Sequence, residues 1–233
     1  MCAITLQPQR FGKFEVAKRR NNQNNQHNQD IMTKKIAIIG GGNLGTAIAE
    51  GLMNSGFIHP EHIIITKRNI STLKHLEVKG VMISNNNVEA VEYADWIIVA
   101  VKPFQVREIL ISLKPHLNPR RHVIVNVMTG VWIKDIQDII GNDFTLFRAM
   151  PNTAIAIQES ITCICKYSAS EEQVSYVADM FNQLGKTVFI EEKLMDAATV
   201  LGACGTAYAL RYVRASMQAG IEIGFDSQTA LAI

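Results

Sequence analysis

The hydrophobic positions along this chain fall into short, β-branched runs set apart by polar or helical stretches. Lys35-Ile36-Ala37-Ile38-Ile39 is the first. Ile63-Ile64-Ile65, Gly80-Val81-Met82-Ile83, Asp95 to Val101, His122 to Val127 and Phe144 to Met150 follow. Runs that stay apolar rather than alternating are the mark of strands covered on both faces. Residues 46–53 and 104–114 carry helical patterns between them. Strands alternating with helices predict an α/β fold built on a doubly wound parallel sheet. Ligands of such sheets sit outside the carboxyl ends of the strands. That places Lys102-Pro103, Met128-Thr129-Gly130 and Pro151-Asn152-Thr153 on one rim, together with the turn after the first strand.

That turn carries the first candidate chemistry. The strand runs directly into Gly40-Gly41-Gly42-Asn43-Leu44-Gly45, and a small-residue helix follows. In this Gly-x-Gly-x-x-Gly pattern Gly40 permits the tight turn, Gly42 lets backbone approach a pyrophosphate, and Gly45 lets helix and strand pack closely. A helix N-terminus offers unpaired N–H groups and a positive dipole end to phosphates. The setting between strand and helix, more than the glycines, points to a dinucleotide. Roughly 20 residues on, where an NAD site places an acid for the ribose 2′-hydroxyl, stand Thr66-Lys67-Arg68-Asn69. Two cations and two small polar side chains suit a 2′-phosphate, so NADPH is expected over NADH.

Composition and charge narrow the class further. Of 233 residues 48% are hydrophobic and 19% charged, enough apolar matter to build a sizeable core. The net charge of +2 hides an asymmetry: residues 1–35 hold seven Lys/Arg against Glu15 and Asp30, and the remainder holds 16 against 19 acids. A mildly acidic body argues against nucleic acid as a partner. No apolar run reaches the roughly 18–20 residues of a membrane-spanning helix, so no membrane partner is expected. Residues 21–29 are Asn/Gln-rich, and residues 1–33 are expected to lie outside the fold as a tail, with Met32 as a candidate start. Four scattered cysteines read as reduced thiols and a cytoplasmic setting. Cys163 and Cys165 share one face if their run is a strand, and Cys204, with no His or Asp partner placed by the sequence, is expected to be a small buried thiol. His59 and His62 flank Pro60-Glu61 without a third ligand nearby, so no metal is expected.

Ile-Gly-Gly-Gly-Asn-Leu-Gly, Ala100-Val101-Lys102-Pro103, Arg148-Ala149-Met150-Pro151-Asn152-Thr153 and Glu159 together resemble pyrroline-5-carboxylate reductase, from about Lys34 to the chain end. The Val-Lys-Pro and Met-Pro-Asn-Thr pair is far more specific than the glycine loop. The resemblance implies a Rossmann domain over residues 34–192 and the beginning of an all-α dimerisation domain over residues 193–233. It implies NADPH-dependent reduction of 1-pyrroline-5-carboxylate to L-proline by hydride transfer to the cyclic imine, in a homodimer or higher homo-oligomer. The residues so expected at the cofactor are Ile39, Gly40, Gly41, Gly42, Asn43, Leu44, Gly45, Thr66, Lys67, Arg68, Asn87, Ala100, Val101, Lys102, Pro103 and Thr129. Of these, Arg68 would lie by the 2′-phosphate, Asn87 near the adenine end, and Val101, Lys102 and Thr129 on the nicotinamide side. Glu159 would lie near the substrate ring. Outside the resemblance Lys102 reads as a solvated strand-end lysine, Asn87 as a helix N-cap and Glu159 as a surface acid.

Two departures from the family pattern stand out. The family's Ser-Gly-Ser-Gly-Pro reads Gly202-Ala203-Cys204-Gly205-Thr206 here, which puts the local helix geometry in question. The family's Ser-Pro-Gly-Gly-x-Thr loop, which holds the substrate carboxylate, lies beyond Gly224, whereas this sequence ends at Ile233 in a helical pattern. The chain is therefore expected to be a C-terminally incomplete member, with no catalytic residue of its own. Two other readings stand beside the reductase: an NADP-binding module without catalysis, and a different Rossmann-type reductase of the hydroxyacid or deazaflavin group.

Overall fold

Six strands form where the apolar runs lie, and the computed structural model, which describes residues 34–233, joins them with two more into one sheet. The tail expected over residues 1–33 lies outside the described residues. The strands are β1 (Ile36–Ile39), β2 (Ile63–Thr66), β3 (Met82–Ser84), β4 (Trp96–Val99), β5 (Val123–Asn126), β6 (Thr145–Met150), β7 (Ser160–Tyr167) and β8 (Gly185–Phe189). Their order across the sheet is β3-β2-β1-β4-β5-β6-β7-β8. From β3 to β6 all neighbours are parallel, so the carboxyl ends of β1, β4, β5 and β6 share one rim as expected.

The helices are α1 (Asn43–Asn54), α2 (Lys74–Glu77), α3 (Asn87–Tyr93), α4 (Val106–Leu113), α5 (Ile133–Ile140), α6 (Glu171–Asn182), α7 (Met195–Ala198), α8 (Gly205–Glu222) and α9 (Ser227–Ala232). Those of the Rossmann layers cover the sheet with their apolar stripes. Ile48 and Leu52 of α1, and Tyr176, Val177 and Met180 of α6, pack with Ile36, Ile38 and Phe147 on one face. Ala90, Val106, Leu110, Ile133 and Ile136 pack with Ala37, Ile97, Val99 and Ile124 on the other. The sheet is thus doubly wound, and strands such as β1 and β4, buried at every residue, cannot alternate in polarity.

The doubly wound sheet has the expected parallel order from β3 to β6 and is extended beyond it by β7, which runs antiparallel to β6 with Met150 opposite Cys163, while β8 is parallel to β7. The cause is the length of the link. Only residues 151–159 join β6 to β7, and part of that link is a 3₁₀ turn (Thr153–Ile157). A parallel return needs a crossover of about a dozen residues or more, usually with a helix. Cys163 and Cys165 do share a face, Cys165 in the core and Cys163 packed against it. Burial raises both thiols, Cys165 to about 11, so neither is a thiolate at neutral pH.

His122, just before β5, is buried; its Nδ1 accepts from the Asn118 amide at 3.0 Å and its Nε2 has no partner among the described residues. Burial, then the neighbouring Arg121 charge, holds its pKa below the usual 6.5. The unfolded chain therefore takes up this proton before the folded one does. Stability from His122 is complete above about pH 6.5 and falls as pH drops through the depressed folded value. Urea midpoints should decline between pH 7.5 and 5.5, and His122→Gln should decline less. Equal slopes for the two proteins would remove this residue from the account.

Beyond β8, α7 passes into a π-helical turn (Thr199–Cys204) that continues without a break into α8. The departure at residues 202–206 thus wraps as a widened helical turn. The carbonyl of Gly202 accepts from Asn152 Nδ2 at 3.2 Å and from Thr206 Oγ1 at 3.3 Å. Cys204 is exposed, correcting the expectation of a buried thiol, because no residue of the π turn or of α8 is buried. Gly224, with φ +112, turns the chain so that α9 folds back along α8.

Candidate functional site

The glycine loop is built by contacts that exclude side chains. Gly40 has φ +113, and a Cβ there would stand 2.6 Å from the Ala100 carbonyl oxygen. A Cβ on Gly45 would stand 2.1 Å from the Gly40 oxygen, so α1 is pressed onto the end of β1. A Cβ on Gly42 would meet nothing within 4 Å; that glycine leaves open space in front of the loop. Gly42 is also the N-cap of α1, whose first turn has no side-chain cap and no acid. The first helical bond runs from the Thr46 amide to the Gly42 carbonyl at 2.9 Å. The N-terminal amides of a twelve-residue helix thus face an open cradle with a positive dipole end, which fits a pyrophosphate. Ile39, Gly41 and Gly45 are buried and offer backbone alone, whereas Gly42 and Asn43 are exposed.

The rest of the rim assembles around this cradle. The Ala100 amide donates to the Ile39 carbonyl at 2.9 Å, setting Val101 and Lys102 beside the loop, and Pro103 opens a 3₁₀ turn that carries the chain away. Lys102 is exposed, as the solvated-lysine reading has it. Thr129 is exposed after β5, its hydroxyl 3.8 Å from Met150 Sδ. At the end of β2, Lys67 is half-buried and Arg68 exposed, and neither side chain has a hydrogen-bond or salt-bridge partner among the described residues. Both charges are free for an anion. Thr66 is buried, with 1% exposure, so its side chain does not face a ligand directly. Its hydroxyl donates instead to Asn87 Oδ1 at 2.6 Å. The helix N-cap proves to be Asn86, whose side chain accepts from the Val88 amide; Asn87 is the first residue inside α3.

Glu159 stands apart from this group. It is exposed, its side chain has no partner among the described residues, and it sits on the loop entering β7. That loop is fastened by Gln158, held at φ 60, whose Nε2 donates to the carbonyls of Gly51 and Gln183. Gly51 lies about 13 Å along α1 from the cradle at 1.5 Å per residue. Among the described residues, no group of three or more His, Cys, Asp or Glu could hold a metal ion. No described helix is long and apolar enough to cross a membrane.

Sequence reasoning missed a cluster beneath the rim. Arg148 in β6 is 1% exposed, with Nη2 3.2 Å from Asp196, Nη1 3.5 Å from Glu192 and its guanidinium 4.9 Å over the Trp132 ring. Glu192 also accepts from the Ile133 amide at 2.7 Å. The cluster clips α5, β6 and the entry to α7 together. An arginine inside the apolar run Phe147-Arg148-Ala149 was the available signal, since a buried cation must have partners.

A doubly wound sheet with a glycine cradle at its switch point, and free cations where NAD sites carry an acid, defines an NAD(P)-dependent oxidoreductase of the Rossmann type. Residues 35–130 match the family described as NADP oxidoreductase, coenzyme F420-dependent, and residues 192–233 match pyrroline-5-carboxylate reductase dimerisation. Pyrroline-5-carboxylate reductase 2 of Dictyostelium discoideum is 37% identical over 216 residues, covering 86% of this chain and 72% of that protein. Pyrroline-5-carboxylate reductase 1 of the same organism is 36% identical over 85% of this chain, which spans 38% of that protein's length. A crystal structure of Plasmodium falciparum pyrroline carboxylate reductase with NADP bound superimposes with a TM-score of 0.79 at 25% identity, covering 87% of this chain and 74% of that one. The chain belongs to the pyrroline-5-carboxylate reductase family.

Proposed function

We propose that this chain reduces 1-pyrroline-5-carboxylate to L-proline with NADPH. The observation that carries the cofactor half is the cradle of Gly40, Gly42 and Gly45, with Lys67 and Arg68 beside it and unpartnered among the described residues. NADPH, when bound, supplies the hydride that the imine carbon accepts. The chain's own part is to hold and orient. The α1 amides take the pyrophosphate, Lys67 and Arg68 the 2′-phosphate, and Val101, Lys102 and Thr129 border the nicotinamide half. The product amine is basic, so the imine nitrogen demands no strong side-chain acid. Residues 34–192 form the nucleotide domain and residues 193–233 belong to the oligomerising domain. Glu159, exposed and unpartnered among the described residues, is the residue assigned to the substrate side.

The test is NADPH consumption with 1-pyrroline-5-carboxylate, with NADH in parallel. Arg68→Ala should weaken NADPH about tenfold and leave NADH nearly unchanged, because a charge-assisted bond to the 2′-phosphate is lost. Equal losses with both cofactors would remove Arg68 from the 2′-phosphate site. NADPH binding without turnover of the imine would leave a nucleotide-binding protein and overturn the substrate.

Self-association follows from the α8 surface. No residue of α8 is buried, although it carries Tyr208, Leu210, Tyr212 and Val213, each at least 47% exposed. An apolar groove of about 730 Å³ lies beside it, lined by Ile161, Val188 and Leu201 among others. So much wet apolar area is the pattern of an interface. Light scattering should show at least a dimer, and Leu210→Asp with Tyr212→Asp should shift it to monomer. A wild-type monomer at micromolar concentration would defeat the assignment.

A further inference from the structure

We propose that Thr66 is a positioning residue for cofactor specificity: its buried hydroxyl locks the Asn87 amide with the nitrogen outward, so that this side chain meets the adenosine end of the site as a donor. The inference rests on the NADPH reading above and adds to it the reason for a 2′-phosphate preference.

The argument is one of proton direction. The Gly40 amide, which can only donate, approaches Thr66 Oγ1 at 3.4 Å. Its hydrogen takes one of the hydroxyl's lone pairs. The hydroxyl's single proton is then free to point at Asn87, 2.6 Å away. A donated proton requires an acceptor, so the Asn87 atom facing Thr66 is its carbonyl oxygen. The two N–H groups of Nδ2 are thereby turned away from Thr66, and they have no partner among the described residues. Asn87 is half-buried at the first position of α3, so its backbone has little room to rearrange. The one acid in the first turn of α3, Glu89, is engaged by Ser84 Oγ at 2.6 Å on the neighbouring strand.

The result is an inventory with a sign. Lys67, Arg68 and the Asn87 amide nitrogen are all donors, and the Asn87 oxygen, which could have accepted from a ribose 2′-hydroxyl, is turned toward Thr66. An NAD site needs an acceptor at this place. Here Thr66 stands at the end of β2, where its side chain hides the acceptor instead of being one. Without the hydroxyl the amide could flip, and its oxygen would meet the phosphate.

Two mononucleotide probes separate this inference from the reading it rests on: 2′,5′-ADP and 5′-AMP, titrated by calorimetry into the full chain without substrate. The wild type should bind 2′,5′-ADP more tightly. Thr66→Val should lower that preference about tenfold, the effect of losing one charge-assisted hydrogen bond, with 5′-AMP affinity retained. Thr66→Ser should keep the preference, and Asn87→Asp should abolish it by putting an oxygen where the nitrogen stood. If Thr66→Val does not fold, Thr66→Ala reads the same comparison. A valine or alanine variant with the wild-type preference overturns the role of Thr66. So does one that loses both probes equally, for then Thr66 merely supports the glycine turn. A wild type with no preference between the probes defeats the NADPH reading itself.

Discussion

Gly45→Ala is expected to reduce NADPH binding by about a hundredfold or more, from the addition of one methyl group to a helix. Helical backbone at this position accepts alanine readily, so the objection is wholly one of space. The new Cβ would lie 2.1 Å from the Gly40 carbonyl oxygen and 3.1 Å from Ile38 Cγ2. The first neighbour is backbone, which cannot rotate away, and the second is packed in the core. Relief requires α1 to lift off the end of β1, which moves the N-terminal amides from the place where they meet the pyrophosphate. Overpacking of this kind costs about 1–3 kcal/mol in stability. A hundredfold loss of affinity is about 2.7 kcal/mol. Gly42→Ala is the informative comparison. Its Cβ meets nothing within 4 Å of protein, so the melting temperature should be unchanged while affinity falls, because the methyl occupies the cradle. Nucleotide titration and thermal melting of both variants separate the roles. A Gly45→Ala protein with wild-type melting and affinity would show that helix and strand are less tightly joined than these distances state.

The second large effect is expected at Glu192. Glu192→Ala leaves the buried Arg148 guanidinium with Asp196 alone for charge, and Asp196 is 64% exposed and already hydrated. Arg148 Nε has no partner among the described residues even in the intact cluster. Breaking a buried pair by removing the acid strands the cation and costs about 3 kcal/mol. Removing the cation should cost less. In Arg148→Met the acids turn to water, Glu192 keeps the Ile133 amide, and an unbranched apolar chain refills the space over Trp132. Arg148→Met/Glu192→Ala should accordingly be more stable than Glu192→Ala alone, a coupling of about 1–2 kcal/mol readable in urea unfolding. If Glu192→Ala stays within about 0.5 kcal/mol of wild type, the range of ordinary surface changes, the cluster is a surface ion pair and no clip. Because the same acids open the segment leading to α7 and α8, Glu192→Ala should also weaken self-association.

Much of this molecule could be read from its residues in order. The runs at 35–39, 63–65, 80–83, 95–101, 122–127 and 144–150 each hold a strand of the sheet, since a strand buried on both faces shows as continuous β-branched apolar sequence. The cradle was legible for a related reason: a Cβ on Gly45 is excluded by the Gly40 carbonyl five residues earlier, and the positive φ of Gly40 is a local demand of the turn, both of which glycine meets. The absence of an acid after β2 was equally local. What the order of residues could not show are relations between distant segments. Alternation in Ser160 to Tyr167 is the same for a strand running either way, and its direction follows from the short 151–159 link closing onto β6. Arg148 finds its acids 44 and 48 residues later. Thr66 reads as a ligand contact until packing buries it against Asn87, 21 residues on. Cys204 reads as a core thiol until α8 is found with no residue covered. Periodicity and glycine sterics are properties of neighbours, so the sequence alone determined the doubly wound sheet and its nucleotide turn. Burial and charge pairing belong to surfaces brought together only on folding, and the tertiary structure alone decided which polar atoms remain free to meet a ligand.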